Sequence, residues 1–409
     1  MFNLSEFINE YVTKRQYSMF NTDIMAMKDD LSNMIRGKSF LVIGGAGSIG
    51  SSFVRAILPF EPSELVIVDT NENALTELTR SLRSSAALSS YVPSIYLPYP
   101  MDYSSVTFRR MFTHHKRKNG LNGFDIVANF SAHKHVRSEK DIYSVEALLR
   151  NNVISAKGLL DILEQYPPEV YFCVSTDKAA NPVNIMGASK RIMEDLIFSY
   201  SDKFPVKTAR FANVAFSNGS LPAGFIDRIN QRQPLSAPSD VKRYFVSPQE
   251  SGQICMLSAM LGDNRNIFFP KLDEAQMTTF DKIAENLLTS MGYEIDYCSS
   301  DEEAIDKANR WSEGQPYPVH FSCSDTSGEK AFEEFFIEGE EVDMERFSSL
   351  GVITDKQIPN KDKVIELIKI LDSTFDSEAC TKADIVSIIG KYLPNFEHIE
   401  TGKSLDGKM

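Results

Sequence analysis

Three adjacent polar residues, Thr176, Asp177 and Lys178, present a hydroxyl, a carboxyl and an amine directly after an apolar run. That run, residues 170–174, is short enough for a buried parallel strand. Ligands of open α/β sheets bind at the carboxyl ends of such strands. An acid and a base presented together at that edge could move protons on a bound substrate. The sequence therefore predicts a reaction centre here.

A loop containing Pro182 follows, and then a helix whose apolar residues fall on one face. This helix carries a second lysine, Lys190. Position 186, four residues earlier and on the same helix face, is a methionine. The helix therefore brings an additional amine close to the predicted centre.

A glycine-rich turn follows the apolar run 39–43 and opens a second predicted helix. Its glycines allow a tight turn and close approach to a pyrophosphate, which the helix N-terminus stabilises. The next strand ends in Asp69, nineteen residues after Gly50, the spacing at which a carboxylate binds adenosine ribose hydroxyls. Asp69 would repel a 2′-phosphate, so NAD is favoured over NADP. The candidate cofactor residues of this unit are Gly44, Gly45, Gly47, Ser48, Ile49, Gly50 and Asp69.

Two more predicted strands end in polar residues. The third ends at Asp102, and the fourth, residues 124–130, leads into a loop rich in cations. We expect Asp102, Ser131 and Ala132 to contact the cofactor, and His133 and Lys134 to contact an anionic substrate. His133 and His135 could ligate a metal, but no third ligand is nearby, so no metal is expected.

The alternation of strands and helices from residue 39 to 213 predicts an α/β fold with a Rossmann-like, doubly wound parallel sheet. We expect four ranges. They are a helical arm outside the main fold (1–36), an NAD-binding domain with the catalytic residues (37–215), mainly a smaller substrate-binding lobe (216–335) and a C-terminal helical extension (336–409). A single long helix is expected over residues 141–164.

Composition limits the partners. The 409 residues carry a formal net charge of −13, which disfavours nucleic acid as the main partner. No run approaches the ~18 apolar residues of a membrane helix, and the first residues lack the pattern of a signal peptide. The five scattered cysteines are typical of a reduced, cytoplasmic protein. We therefore expect a cytoplasmic protein without a membrane span.

The block Ser-Thr-Asp-Lys-Ala-Ala-Asn-Pro-Val-Asn-Ile-Met-Gly-Ala-Ser-Lys-Arg at 175–191 resembles a family of bacterial nucleotide-sugar 4,6-dehydratases. The glycine turn, the loop at 129–137 and the segments at 210–214 and 242–245 resemble it too. The family is the UDP-N-acetylglucosamine 4,6-dehydratase, or polysaccharide-biosynthesis, branch of the extended short-chain dehydrogenases/reductases. The resemblance spans about residues 37–335, and the family's homo-oligomers lead us to expect one here.

The resemblance implies an internal redox cycle with tightly bound, recycled NAD. NAD+ takes a hydride from C4 of the hexose, a base removes the C5 proton, an acid protonates the departing C6 hydroxyl, and the hydride returns to C6. By the same resemblance Asp177 is the acid, Lys178 the base, Thr176 a hydrogen-bonding partner near O4, and Lys190 the lysine that holds the nicotinamide ribose. Lys178 must then be neutral, with a pKa lowered by burial and nearby cations, and Asp177 protonated, which needs an apolar pocket or an adjacent negative charge.

Met186 is a departure from the wider superfamily, which places a tyrosine there to take the O4 proton. A thioether cannot ionise, so we expect Thr176 to accept that proton, relaying it through water or Asp177. Some members of the dehydratase branch also carry methionine at this position.

The expected substrate is a nucleotide-activated N-acetylhexosamine, with UDP-N-acetylglucosamine favoured, used in bacterial surface-glycan or nonulosonic-acid synthesis. Uridine, guanosine and cytidine diphosphates all remain open, as does the C5 stereochemistry of the product. Candidate contacts to the nucleotide diphosphate and the base are Asn213, Ser217, Arg243 and Lys330. Two alternatives remain: a nucleotide-sugar 4- or 5-epimerase, which shares the 4-keto intermediate, and a catalytically inactive NAD-binding scaffold.

Overall fold

The computed structural model describes residues 2–135, 139–324, 333–354 and 357–398. The strands of these ranges are β1 (Ser39–Ile43), β2 (Glu64–Asp69), β3 (Ile95–Pro100), β4 (Ile126–Asn129), β5 (Val170–Thr176), β6 (Val206–Phe211), β7 (Asn213–Val214), β8 (Leu235–Pro238), β9 (Lys242–Arg243), β10 (Phe245–Val246), β11 (Ile267–Pro270), β12 (Thr278–Thr279), β13 (Ile295–Tyr297), β14 (Tyr317–Ser322), β15 (Val342–Asp343) and β16 (Leu350–Ile353).

The α-helices of the same ranges are α1 (Leu4–Phe7), α2 (Asn21–Ala26), α3 (Lys28–Ile35), α4 (Ser48–Ile57), α5 (Glu72–Ser84), α6 (Val106–His114), α7 (Ile142–Leu149), α8 (Ser155–Gln165), α9 (Ile185–Phe198), α10 (Leu221–Asn230), α11 (Pro248–Leu261), α12 (Phe280–Ser290), α13 (Asp301–Arg310), α14 (Lys361–Phe375) and α15 (Lys382–Tyr392).

Nine strands form one sheet in the order β15-β16-β11-β6-β5-β4-β1-β2-β3. The seven strands from β3 to β11 are parallel, and β16 and β15 add an antiparallel edge. The chain runs outwards from β1 in one direction and from β4 in the other. Ligands of doubly wound sheets bind at this reversal, outside the carboxyl ends of the strands. The predicted Rossmann-like parallel sheet is confirmed.

Alternate residues of β1 point into opposite cores. Leu41 and Ile43 pack with α6–α9 and the C-terminal helices α14 and α15, whereas Phe40 and Val42 pack with α3, α4, α5 and α11. Burial on both faces explains why these strands read as continuous apolar runs. A third core, built from α10, α12, β8 and β14, forms a smaller lobe.

The N-terminal arm is helical, as expected, but it does not lie outside the main fold. Phe20 and Ile35 are fully buried in the core on the α4 side of the sheet, and Phe7 is buried in the smaller lobe. Between these residues, Arg15 forms an ion pair of 2.7 Å with Glu250, which ties the arm to α11. The arm's apolar residues therefore complete both cores.

The large sheet extends across the predicted boundaries at residues 216 and 336. β11 and α11, both within 216–335, belong to the large sheet and its covering helix layer, and so do β15 and β16 from the predicted helical extension. Two helices, α14 and α15, lie in the later part of this predicted extension. The sequence could not show β11 and β16 as sheet members because pairing between distant segments leaves no local pattern.

The helix expected over 141–164 is interrupted. α7 and α8 are joined by a π-helical turn, Arg150–Ile154, that contains Asn151 and Asn152. Such turns are wider than α-helical ones and frequently occur at functional sites. Within the described ranges, none of the helices is both long enough and apolar enough to cross a membrane.

Candidate active site

The carboxyl end of β5 carries the predicted acid–base group. Thr176 is the last strand residue, and Asp177 and Lys178 begin a single 3₁₀ turn. The Asp177 side chain is only 5% exposed, whereas that of Lys178 is 27% exposed. Thr176 Oγ1 donates to Asp177 Oδ1 at 2.6 Å, and Lys178 Nζ lies 3.3 Å from each Asp177 oxygen. The structure therefore joins the three predicted residues in one hydrogen-bonded group.

A cleft opens in front of this group. Residues from the β5 loop, from β9 and from the segment after residue 332 line it: Asp177, Lys178, Asn181, Val183, Asn184, Arg243 and Glu333. Arg243, predicted to bind diphosphate, thus lies in the same cleft as the acid and the base. Its side chain is only 6% exposed, and its Nη1 donates to the Lys242 carbonyl at 2.8 Å.

Glu333 is a cleft residue that the sequence reasoning missed. Asn213 Nδ2 donates to its Oε1 at 2.6 Å, and the Tyr244 amide donates to its Oε2 at 3.0 Å. Burial and then the nearby Asp177 carboxylate raise the pKa of Glu333 to about 7. The only sequence signal was its position three residues after Lys330, a predicted substrate contact.

Lys190 and Met186 lie on α9, whose N-terminus faces the cleft loop. Asn184 caps the helix by accepting from the Gly187 amide at 2.8 Å, and Glu139 accepts from the Met186 amide at 2.8 Å. Lys190 is buried and donates to the Val174 carbonyl at 3.0 Å. Burial lowers its pKa, while Cys173 and Glu194 oppose that shift. Met186 is 3% exposed and packs in the core.

The glycine turn between β1 and α4 lies at the reversal of the sheet. Gly44 has a φ of +68°, and a Cβ there would lie 2.7 Å from the Ser131 amide nitrogen. A Cβ at Gly50 would lie 2.3 Å from the Gly44 carbonyl oxygen. Gly47 is the N-cap of α4 and has no side chain to bind the first amides of the helix. The turn therefore keeps a bare helix N-terminus that suits a pyrophosphate.

The other predicted residues of this unit surround the turn. A Cβ at Gly45 would lie 2.5 Å from Ile67 Cγ2, so the turn packs closely on β2. Ile49 packs against the core, and Ser48 Oγ accepts from the Asn218 amide at 2.9 Å. These residues and their neighbours fit a dinucleotide with its pyrophosphate at α4.

The two predicted acids occupy neighbouring strand ends. Asp69 ends β2 and accepts from the Ala46 amide at 3.0 Å and the Asn71 amide at 2.9 Å. Asp102 follows β3, is exposed, and accepts from the Ser104 amide and hydroxyl. Asp69 is therefore bonded to the glycine turn itself, whereas Asp102 lies further along the sheet edge.

The loop after β4 is held by the π-helical turn. Asn152 Oδ1 accepts from the His133 amide at 2.8 Å, and its Nδ2 donates to the His133 carbonyl at 2.9 Å. Ser131 Oγ donates to Asn151 Oδ1 at 3.2 Å. Ser131 and Ala132 are partly buried, whereas the side chains of His133 and Lys134 are exposed. The turn thus fixes the loop backbone next to two predicted substrate contacts.

The predicted diphosphate contacts do not form one group. Asn213 and Arg243 meet at Glu333, but Ser217 belongs to a loop whose next residue, Asn218, bonds Ser48 at the glycine turn. Lys330 lies outside the described residues. No group of three or more potential metal ligands occurs among the residues that the structure describes.

A doubly wound sheet with a glycine turn at its reversal and a Thr–Asp–Lys group at the end of β5 is typical of the extended short-chain dehydrogenase/reductase class. The chain belongs to the polysaccharide biosynthesis protein family, whose model matches residues 40–355. The resemblance inferred from the sequence motifs is confirmed.

Three relatives illustrate the range of this similarity. A probable polysaccharide biosynthesis protein EpsC from Bacillus subtilis is 30% identical over 64% of this chain, which spans only 42% of that relative. A UDP-N-acetylglucosamine 4,6-dehydratase (inverting) from Campylobacter jejuni is 24% identical over 64% of this chain and 74% of its own length. A UDP-glucose 4-epimerase from Rickettsia bellii is 24% identical over 63% of this chain and 73% of its own length.

Solved structures share the fold. That of Pen from Bacillus thuringiensis superposes with a TM-score of 0.61 at 17% identity, covering 83% of this chain and 98% of that one. A second solved structure is that of DesIV, a dTDP-glucose 4,6-dehydratase from Streptomyces venezuelae, with NAD bound. Its TM-score is 0.53 at 18% identity, and the match covers 73% of this chain and 88% of that one.

Proposed function

We propose that this protein is an NAD-dependent 4,6-dehydratase of a nucleotide-activated N-acetylhexosamine, with UDP-N-acetylglucosamine as the favoured substrate. The product is a 4-keto-6-deoxy sugar for surface-glycan or nonulosonic-acid synthesis. The observation that carries the proposal is the Thr176–Asp177–Lys178 group, in which Asp177 and Lys178 line a cleft that also contains Arg243. Family membership and the dehydratase among the relatives support it.

The glycine turn, Asp69 and Lys190 would hold NAD, which would supply the oxidation at C4 and the later reduction at C6. A carboxylate at Asp69 would repel the 2′-phosphate of NADP, which favours NAD. Thr176 accepts the O4 proton and passes it to Asp177, a route supported by their 2.6 Å hydrogen bond. Asp177 then gives a proton to the departing C6 hydroxyl. Lys178 removes the C5 proton, and Arg243 binds the diphosphate with a guanidinium suited to phosphate geometry.

The experiment is incubation with UDP-, GDP- and CDP-linked N-acetylhexosamines, followed by mass spectrometry and NMR of the product. A product lighter by one water supports the proposal. Asp177→Asn and Lys178→Met should each abolish that loss, because elimination needs both an acid and a base. The matched control is Lys307→Met, which removes a lysine of the smaller lobe that pairs with Asp296.

A second candidate is a nucleotide-sugar 4- or 5-epimerase, favoured by the 4-epimerase among the relatives. Its outcome in the same assay is an isomer of unchanged mass. The Asp177–Lys178 pair argues against simple 4-epimerisation. That reaction expels no hydroxyl, so it needs neither an acid nor a base for an elimination. Absence of turnover with every nucleotide hexosamine would instead support an inactive NAD-binding scaffold. A homo-oligomer stays a prediction, which light scattering of the purified protein tests.

A further inference from the structure

Glu333 is held in the cleft in one orientation. Its side chain is only 3% exposed, and each carboxyl oxygen has its own donor, the Asn213 side chain on Oε1 and the Tyr244 amide on Oε2. The guanidinium of Arg243 lies 4.0 Å from Oε1, at the limit of an ion pair. A carboxyl bound on both oxygens by fixed groups cannot turn away from the other cleft residues.

Glu333 and Asp177 are two almost completely buried carboxyls that line the same cleft. Two carboxyls that share a desolvated site cannot both ionise easily, and one of them keeps its proton. Of the two carboxyls, Asp177 has the closer polar side-chain partners within the catalytic group: Thr176 Oγ1 donates to it at 2.6 Å, and Lys178 Nζ lies 3.3 Å from each of its oxygens. Glu333 receives donors too, but its ion pair with Arg243, at 4.0 Å from Oε1, is at the distance limit.

The groups around Glu333 shift its pKa in opposite directions. Burial and then Asp177 raise its pKa, while Lys178, the Tyr244 amide and Arg243 lower it, and the result is about 7. The Tyr244 phenol faces the same group, and burial together with Glu274, Glu333 and Asp273 raises its pKa, so it stays neutral. Glu333 is therefore mostly neutral below pH 7 and becomes an anion above it.

We propose that Glu333 is a positioning residue that acts through Asp177: its neutral carboxyl leaves Asp177 as the single anion of the cleft, able both to accept a proton and to release it. This inference rests on the proposed dehydration.

The proton balance follows from that arrangement. Asp177, as a carboxylate, receives the O4 proton through Thr176 when C4 is oxidised. It gives this proton to the C6 hydroxyl as the C6–O bond breaks, while Lys178 takes the C5 proton and the C5–C6 double bond forms. The water that leaves contains the C6 hydroxyl and the O4 proton, and Lys178 returns its proton to C5. Ionised Glu333 would place a second negative charge beside Asp177, strengthen its hold on the proton, and slow the elimination.

The experiment compares the pH profile of kcat for dehydration in wild type, Glu333→Gln and Glu338→Gln. Wild type should lose activity as the pH rises through about 7. Glutamine is uncharged at every pH, so in Glu333→Gln the loss of activity above pH 7 should disappear, whatever the level of activity that remains at neutral pH. Glu338 is exposed, and its variant should follow wild type. A purely structural role would lower activity equally at every pH and leave the inflection in place, which would overturn the proposal.

A second measurement does not depend on turnover. Infrared difference spectra of the protein titrated from pH 5 to pH 9 should contain a protonated-carboxyl band that disappears near pH 7. Glu333→Gln should lack the band, and in Asp177→Asn it should titrate at lower pH because the neighbouring negative charge is gone. If wild type lacks such a band, the inference about Glu333 is wrong. Wild type that has the band but dehydrates no nucleotide hexosamine would instead sink the proposed function.

Discussion

The hydroxyl of Thr176 donates to the Asp177 carboxylate at 2.6 Å, at the place where β5 ends. Met186, which occupies the position of the tyrosine in related dehydrogenases, is buried in the core and cannot ionise. The Thr176–Asp177 bond therefore provides the candidate path for the O4 proton.

Thr176→Val should slow C4 oxidation by about 100-fold or more, the usual cost of losing a positioned proton-transfer group. The rate is measured in a single turnover as the absorbance of reduced cofactor. Thr176→Ser keeps the hydroxyl and should retain most of the rate. An unchanged rate in Thr176→Val would remove Thr176 from the path.

Asp69→Ala should weaken NAD binding by about tenfold and reduce discrimination against NADP. The change removes the carboxylate that is predicted to bind the ribose hydroxyls and that accepts from the Ala46 amide. A tenfold loss corresponds to about 1.4 kcal/mol, the order of one hydrogen bond. Calorimetric titration of cofactor-free protein with NAD and NADP measures both effects. Asp102→Ala, at the next strand end, is the comparison, and equal losses in the two variants would contradict a special role for Asp69.

Gly252→Ala should lower the free energy of unfolding by about 1–3 kcal/mol. A Cβ at Gly252 would lie 2.1 Å from the Ser52 carbonyl oxygen, where α11 crosses α4. Gly158→Ala is the control, because a Cβ at this exposed position of α8 meets no atom within 4 Å. That variant should be neutral or stabilised by up to about 1 kcal/mol, since alanine favours helix more than glycine. Urea unfolding measures both, and equal stabilities would refute the close crossing.

Arg210→Met should destabilise the protein by about 3–5 kcal/mol. The guanidinium is fully buried and pairs with Glu194 at 2.7 Å and Glu340 at 3.1 Å. Its removal would therefore leave two buried carboxylates without their cation. Arg310→Met is the matched control, because the 77% exposed Arg310 side chain pairs with Asp306 at the surface. Such a pair is worth about 0–1 kcal/mol. Similar unfolding midpoints for the two variants would contradict the structural role of the buried cluster.

Local sequence patterns predicted the parts of the fold and site that are local. The apolar run of β5, the polar residues at its end and the glycine turn could each be read from a short segment. Glu333 could not be predicted, because it is 156 residues from Asp177 in sequence and its environment is created by folding. The antiparallel strand β16 was missed for the same reason. Phe20 and Ile35 were misplaced because apolar residues among charges do not indicate which core they join.

The π-helical turn at Arg150–Ile154 has a consequence for chain length. A π turn accommodates one residue more than an α turn, so deleting one residue there would restore a regular helix. The segment beyond it would then rotate by about 100° relative to α7. Leu159 and Leu163 would leave the core, and Asn152 would lose its two bonds to His133. A relative that is one residue shorter in this turn could keep a regular helix only by presenting a different side chain to the loop after β4.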